Sequence, residues 1–347
     1  MTYEEVLQAQ IAQWWEQTTL KDFYRAIQRR VIGQPNLIHI CANIYHFLCC
    51  IMAGIKAQDN ILIAAPSGSG KTETYRAISE YFSENIPMLP VILFDMTQLS
   101  PSGFRGANKD DALVELFRLS HSANTDHPAA LLFLDEIDKK IMPAYDASGR
   151  NVNADVQADL LTMLEGSSVS GKNGSIYTDR ILFFGLGSFD AFRTRREEKK
   201  SPIGFCQGDA IAKDHFDPVV RENMIRLGAS HELLGRFPFI VNYGKLSKES
   251  LLVIIQKSLL ELSGSYNCNI EISQEFKNDL LQDIDSPYGC RTLANRLKQS
   301  ALIGYEKAQL SADSFETMPK FTLLLISDTE AELVPDENPE DEINENY

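Results

Sequence analysis

No apolar run in this chain approaches the roughly 20 residues that a membrane-spanning helix needs. The first residues, M-T-Y-E-E-V-L, lack the basic start and apolar middle of a secretory signal. Paired cysteines are missing too. Cys41, Cys49, Cys50, Cys206, Cys268 and Cys290 form no C-x-x-C pair and no zinc-type pattern with histidine, which argues against structural zinc and for reduced thiols. These absences predict a cytoplasmic protein with no membrane association. Basic charge is also in deficit, with 33 Lys and Arg against 48 Asp and Glu. Nine of those acids lie in residues 328–347, which hold no Lys or Arg, and the rest of the chain still carries −6 of the net −15. A general nucleic-acid surface needs Lys and Arg for phosphate contacts and is disfavoured, although a locally basic channel stays open.

The hydrophobic content, 44% of 347 residues, is enough for a large core and suggests one big domain and a smaller one. Residues 1–29 carry apolar side chains near helical spacing and read as a helical segment. Trp14 and Trp15 there are expected to pack on the protein's own body. Residues 30–244 alternate helical stretches with short uninterrupted apolar runs at 60–65, 91–95, 130–135, 180–186 and 239–243. Such runs fit strands buried on both faces of a parallel sheet, so the expected fold class is α/β. Residues 245–327 read as a small, mostly helical domain, opened by an N-capping serine before K-E-S-L-L-V-I-I and closed by a strand near 320–326. The acidic residues 328–347 are predicted to be disordered.

One stretch points to chemistry. Residues 65–72, A-P-S-G-S-G-K-T, are one residue short of the phosphate-binding wording G-x-x-x-x-G-K-[ST]. The stretch follows a predicted strand and opens a predicted helix, the context that makes such a match credible. Pro66, Ser67, Gly68, Ser69, Gly70, Lys71, Thr72 and Glu73 form the expected nucleotide cradle. The glycines let backbone N–H groups approach phosphate, and the helix N-terminus adds positive potential. Lys71 is expected on the β/γ-phosphates and Thr72 on Mg²⁺, so ATP and Mg²⁺ are the implied ligands. Ala65 stands at the loop entrance, where a Cβ is a smaller obstacle than at Gly70. A second element, L-L-F-L-D-E-I-D-K-K, ends a strand in Asp135 and Glu136. Asp135 is expected to orient the metal, and Glu136 to polarise the attacking water.

With these motifs in order, the chain resembles the AAA+ ATPases of the ClpX/HslU unfoldase group over roughly residues 30–326. V-I-G-Q (31–34) matches the group's adenine-holding segment, which points to Val31 and Ile32. D-E-I-D-K is its acidic motif, and D-L-L-T-M-L-E-G-S-S-V-S (159–170) is HslU-like. L-L-G-R-F-P (233–238) resembles the arginine-finger box and points to Arg236; G-C-R-T-L (289–293) resembles the sensor 2 box and points to Arg291. The resemblance implies that Arg236 acts on a neighbouring subunit's nucleotide, and hence a homo-oligomeric ring, hexameric in the family. P-S-G-F-R-G (101–106) stands where the group carries an aromatic pore loop, so Phe104 is the expected paddle, with Arg105 in place of the usual aliphatic residue. D-A-S-G-R-N-V-N-A-D (146–155) resembles a second pore loop, with Arg150 a candidate contact. Ile203, Gly204 and Phe205 occupy the place of the I-G-F loop that docks ClpX-type rings on a ClpP-type peptidase.

The sequence departs from the group in lacking the ClpX zinc-binding module and the HslU inserted domain. Its acidic C-terminal segment is unlike the HslU tail, and G-L-G-S-F (185–189) has no asparagine at the sensor 1 place, where Ser188 stands. The expected function is an ATP-driven ring that threads protein substrates through a central pore, with a ClpP-like peptidase as partner. A stand-alone remodeler of one complex, a nucleic-acid motor and a non-catalytic nucleotide scaffold remain as alternatives at this stage.

Overall fold

The computed structural model describes residues 1–56, 59–99, 113–171, 174–193, 217–282, 290–311 and 321–335. The chain divides into two compact units, Met1–Lys245 and Leu246–Tyr347.

In the first unit the helices α1 (Tyr3–Gln17), α2 (Leu20–Gln28) and α3 (Leu37–Ala53) precede strand β1 (Ile61–Ala64) and helix α4 (Lys71–Asn85). There follow β2 (Val91–Asp95), α5 (Val114–Ala123), β3 (Ala130–Asp135), α6 (Asp138–Ile141) and α7 (Val152–Leu164). A hairpin, β4 (Ser168–Gly171) and β5 (Gly174–Tyr177), leads to β6 (Ile181–Gly187), α8 (Arg221–Arg226), α9 (His231–Gly235) and β7 (Phe239–Asn242). The five apolar runs become one parallel sheet in the order β2-β3-β6-β1-β7. Along each central strand, successive side chains enter opposite cores, as the two-residue period of a strand requires. Ile61, Ile63, Leu131, Phe133, Leu182 and Phe184 join one apolar cluster; Leu62, Ala64, Leu132, Leu134, Ile181 and Phe183 join the other. Both faces are therefore covered, which is why these strands show no polar alternation.

Residues 1–29, expected as a separate segment, are built into the first of these cores. Thr2 with Glu5 and Thr19 with Asp22 form capping boxes that start α1 and α2. Leu7, Ile11, Phe23 and Ile27 are buried in the cluster beneath β1. Trp14 is 4% exposed, donates its indole N–H to the Tyr81 hydroxyl at 2.8 Å and sits edge-on to Phe23. The two tryptophans are thus internal packing, as expected. Trp15 lies against Tyr45, with ring centroids 4.0 Å apart.

The second unit opens with α10 (Lys248–Tyr266), whose N-cap Ser247 accepts the Ser250 N–H. It continues with β8 (Asn269–Ile272), α11 (Gln274–Gln282), α12 (Cys290–Ser311), β9 (Phe321–Ser327) and β10 (Glu330–Pro335). The predicted helices and strand are present, but the unit also contains a three-stranded sheet, β10-β9-β8. This corrects one expectation. The first part of the acidic segment 328–347 is not disordered: Glu330–Pro335 pairs antiparallel with β9. Ala331 is buried and Leu333 packs against the core, while Glu330, Glu332 and Val334 are exposed. Alternation of this kind lets an acidic strand cover one face of a core.

Candidate nucleotide site

The sheet order puts β1 at the centre of the site, with β6 on one side and β7 on the other. In such open sheets ligands bind beyond the carboxyl ends of the strands. The loop after β1 holds the phosphate motif. Ala65 is buried, donates its N–H to Gly187 O at 2.9 Å, and is not among the residues with positive φ. The left-handed positions are Gly68 (φ 74°) and Gly70 (φ 104°), where a Cβ carries a steric cost. The sequence spends its glycines where the backbone needs them. Helix α4 starts at Lys71 with no side-chain cap, so its first N–H groups are offered to a ligand.

Lys71 has a side chain only 10% exposed, and its Nζ lies 3.6 Å from Glu136 Oε1. The expected phosphate cation and the expected water-activating carboxylate therefore converge. Glu136 has φ 57°. A non-glycine residue in that region is uncommon and marks a strained, over-determined position. Its N–H is held by Asp135 Oδ1 at 3.0 Å, so the strand-end carboxylate braces the strained turn. Thr72 sits in the first turn of α4, half-buried. Among the described residues no three His, Cys, Asp or Glu side chains gather as a metal site. Thr72 and Asp135 carry the oxygen donors that a Mg²⁺ would take from protein.

Val31 is buried, and its Cγ1 would lie 3.8 Å from a Cβ placed on Gly70; Ile32 is half-buried beside it in sequence. Both precede the cradle in the chain, and Val31 lies against it at Gly70. Glu73, also expected at the nucleotide, has its carboxylate committed to protein: Arg30 Nε at 3.1 Å and Arg76 Nη1 at 2.7 Å. Burial pushes this carboxyl up, but Arg76 and Arg30 outweigh it and hold it below the ordinary range. Arg30 also pairs with Glu80, about two turns further along α4.

Further residues with no assigned role join the site. Gln34, 1% exposed, bonds Ser69 O and Gly244. Thr74 and Tyr243 share a buried hydrogen bond of 2.7 Å. Asp138 is buried; its Oδ2 accepts the Phe189 N–H at 2.9 Å and the Ser188 hydroxyl at 3.2 Å. Ser188, at the sensor 1 place, is thereby tied to the acidic motif. Lys140 donates to Leu99 O at 2.8 Å. Burial lowers that amine's pKa, with Asp95 opposing.

Other expected residues are placed elsewhere. Arg236 ends α9 and pairs with Glu165 at 2.5 Å, with 45% of its side chain exposed. Arg150 pairs with Asp155 at 2.5 Å on the surface. Arg291 is exposed on α12 of the second unit. Phe104 and Arg105 lie outside the described residues, as do Ile203, Gly204 and Phe205.

Residues 56–240, just over half of the chain, match the AAA domain (Cdc48 subfamily). The chain belongs to the AAA family of ATPases. It is 29% identical over 269 residues to the Wolinella succinogenes ATP-dependent Clp protease ATP-binding subunit ClpX 2, covering 70% of this chain and 64% of that relative. It is 26% identical over 275 residues to the Treponema denticola ATP-dependent Clp protease ATP-binding subunit ClpX, covering 71% and 65%. The chain thus spans just under two thirds of the length of the curated relatives it matches, and its likeness is to a ClpX-type AAA+ ATPase. No helix among the described residues is long and apolar enough to cross a membrane.

Proposed function

We propose that this AAA+ ATPase hydrolyses ATP in a homo-oligomeric, hexameric ring and uses the energy to unfold or remodel proteins drawn through a central pore. The observation that carries the hydrolytic part is the convergence of Lys71 on Glu136, at a strained turn directly beyond β3 and beside the loop after β1. When bound, ATP supplies the phosphoryl group to be transferred, and Mg²⁺ offsets its charge. Val31 and Ile32 hold the base. The N–H groups of the Gly68–Thr72 loop and the Lys71 ammonium bind the phosphates. Thr72 and Asp135 hold the metal. Glu136 orients a water and takes its proton as the water attacks.

Arg236 is assigned to a neighbouring copy's nucleotide. Its exposed pairing with Glu165 is weak enough to exchange for phosphate, because such surface pairs contribute about 0–1 kcal/mol. Arg291 reports nucleotide state to the second unit. The mechanical part rests on the names of the relatives and on sequence position. Phe104 grips the substrate chain, with Arg105 beside it. Ile203, Gly204 and Phe205 dock on a ClpP-like peptidase. Cytoplasmic location belongs to the same reading.

Glu136→Gln tests it. The variant should bind ATP, lose nearly all turnover and retain captured protein substrates that the wild type releases. Wild-type protein with no Mg²⁺-dependent turnover above this variant would sink the hydrolytic reading. Turnover without captured protein would leave an ATPase but remove the unfoldase. A barrel peptidase that co-purifies with wild type but not with a 203–205 deletion would support docking, while rings that come out alone in both cases would favour a stand-alone remodeler.

A further inference from the structure

Two side-chain links run from the phosphate loop to the residues that end the first unit. The first is Gln34. Its Nε2 donates to Ser69 O at 3.0 Å and to Gly244 O at 3.1 Å, while its Oε1 accepts the Gly244 N–H at 3.0 Å. The second is a pair of hydroxyls. Thr74 Oγ1 lies 2.9 Å from Gly70 O and 2.7 Å from the Tyr243 hydroxyl. A carbonyl oxygen can only accept, so Thr74 spends its one proton on Gly70 O. Tyr243 must then donate to Thr74, and the chain of protons runs in one direction. Both Thr74 and Tyr243 are buried, so water cannot replace either partner. A third contact, Asn36 Nδ2 to Asn242 O at 2.7 Å, ties the same exit strand to the segment that follows Val31 and Ile32.

The position of these bonds matters because the peptide unit is planar and, throughout the described chain, trans. In a trans peptide the carbonyl of one residue and the N–H of the next point in opposite directions. Holding Ser69 O therefore aims the Gly70 N–H, and holding Gly70 O aims the Lys71 N–H. Those are two donors of the phosphate cradle. The Gly70 carbonyl also accepts the Thr74 N–H within the helix, so Thr74 holds it twice. Ser69 O has Gln34. At the far end of both links stand Tyr243 and Gly244, and the second unit begins two residues later at Leu246.

We infer that Gln34 and the Thr74–Tyr243 pair are positioning residues that couple the orientation of the phosphate-loop peptides to residues 243–244, the exit toward the second unit. The inference rests on the nucleotide reading of the site. Phosphate binding fixes the Gly70 and Lys71 peptides, and the two links pass that fixation to the exit. Any displacement of the exit turns the same peptides away from phosphate. The coupling is reciprocal by linkage.

Two near-isosteric variants of the full chain test it. Gln34→Glu keeps the shape but removes both donors; Tyr243→Phe keeps the buried ring but removes the donated proton. Two quantities are read: affinity for Mg²⁺–ADP, and amide exchange of the peptide spanning 242–246 with and without that nucleotide. The Gly244 N–H, bonded to Gln34, is a direct reporter. In wild type the nucleotide should slow exchange there. Gln34→Glu should bind about tenfold more weakly or worse, as expected when the buried bond to Ser69 O and the part-buried bond to Gly244 O are both lost. It should also lose the nucleotide-dependent protection at 244. Tyr243→Phe should weaken binding by about threefold to tenfold and shrink the protection. A residue that merely stabilised the fold would lower the unfolding temperature and leave the nucleotide-dependent protection in place, which overturns the inference. Folded variants with wild-type affinity and protection overturn it as well. If Gln34→Glu does not fold, Tyr243→Phe decides alone. Wild type that binds no nucleotide overturns the site reading and the coupling with it; wild type that binds normally beside unaffected variants overturns the coupling only.

Discussion

Replacing Ala65 by glycine restores the common wording of the phosphate loop, and it should make the protein worse. Ala65 is fully buried, its N–H is bonded to Gly187 O, and its backbone lies outside the left-handed region. Glycine there gains no conformation it needs. It loses one buried methyl, worth about 0.8 kcal/mol of transfer free energy. It also releases chain entropy in the unfolded state, worth about 0.5–1 kcal/mol. The expected cost is about 1.3–1.8 kcal/mol, with no gain in ATP turnover. Gly70→Ala is the opposite case. A Cβ at Gly70 meets only Val31 Cγ1 at 3.8 Å, an ordinary contact, so space is not the obstacle. The obstacle is φ 104°, where an L side chain costs about 1–2 kcal/mol or forces the peptide to turn. Turning it moves the two N–H groups that the cradle depends on. Urea unfolding without nucleotide gives the stability change of each variant, and initial rates against ATP concentration give KM and kcat. Ala65→Gly should lose stability at unchanged KM; Gly70→Ala should lose nucleotide affinity beyond its stability loss. If Ala65→Gly were as stable as wild type and lowered KM tenfold, the Cβ of Ala65 would be obstructing phosphate and this account of the loop would be wrong.

Gly187→Ala should destabilise by about 1–3 kcal/mol and lower kcat, since its Cβ would lie 2.7 Å from Asp138 Cγ and 2.8 Å from Phe189. Gly235→Ala, which meets nothing within 4 Å, should stay within about 0.5 kcal/mol in the same melt. Burial raises the Cys41 thiol from 9.0 to about 12, so the unfolded chain ionises first and stability should fall as pH rises from 9 toward 12. Cys41→Ala should flatten that slope in urea midpoints measured across the range; an unchanged slope would clear Cys41 of the effect. Ending the chain after Thr329 removes β10 and uncovers Leu323 and Leu325, so the second unit should lose its cooperative transition by calorimetry, which disorder throughout 328–347 would not predict.

The strands were legible because burial on both faces leaves a local mark: an unbroken apolar run needs no knowledge of its neighbours. The phosphate loop and Asp135–Glu136 were legible for a similar reason, since their chemistry depends on short spacing along the chain. Gln34 was in view as the last letter of V-I-G-Q, but its partner Gly244 lies 210 positions away. The Thr74–Tyr243 bond spans 169 positions, and no local pattern announces it. Asp138 read as the tail of an acidic motif; only the fold shows that it holds Ser188 and Phe189. Strand β10 was hidden by its charge. Counting acids across residues 328–347 concealed the alternation in E-A-E-L-V, where Ala331 and Leu333 turn to the core and the glutamates turn outward. Glu73 is the opposite case. It sits inside the motif, yet Arg30 and Arg76 claim its carboxylate.

These longer contacts change what a nucleotide can act on. Ala65 N–H to Gly187 O joins the loop entrance to the end of β6, and Gly187 is packed directly against Asp138. Asp138 in turn grips the Ser188–Phe189 turn, while Lys140, two residues on, holds Leu99 O at the edge of the segment that carries Phe104 in sequence. The phosphate loop, the acidic motif and the β6 turn are therefore one braced body. Each brace is a single hydrogen bond or contact contributing about 1 kcal/mol, too little to hold the loop alone. Their effect comes from sharing anchors: Asp138 cannot shift without disturbing Gly187, and Gly187 cannot shift without disturbing Ala65. A phosphate bound at Gly70 and Lys71, as proposed, would act on a connected set of backbone positions instead of on one flexible loop. Hydrolysis energy can reach distant segments only through a body of this kind, because a compliant loop would absorb the change where it arose.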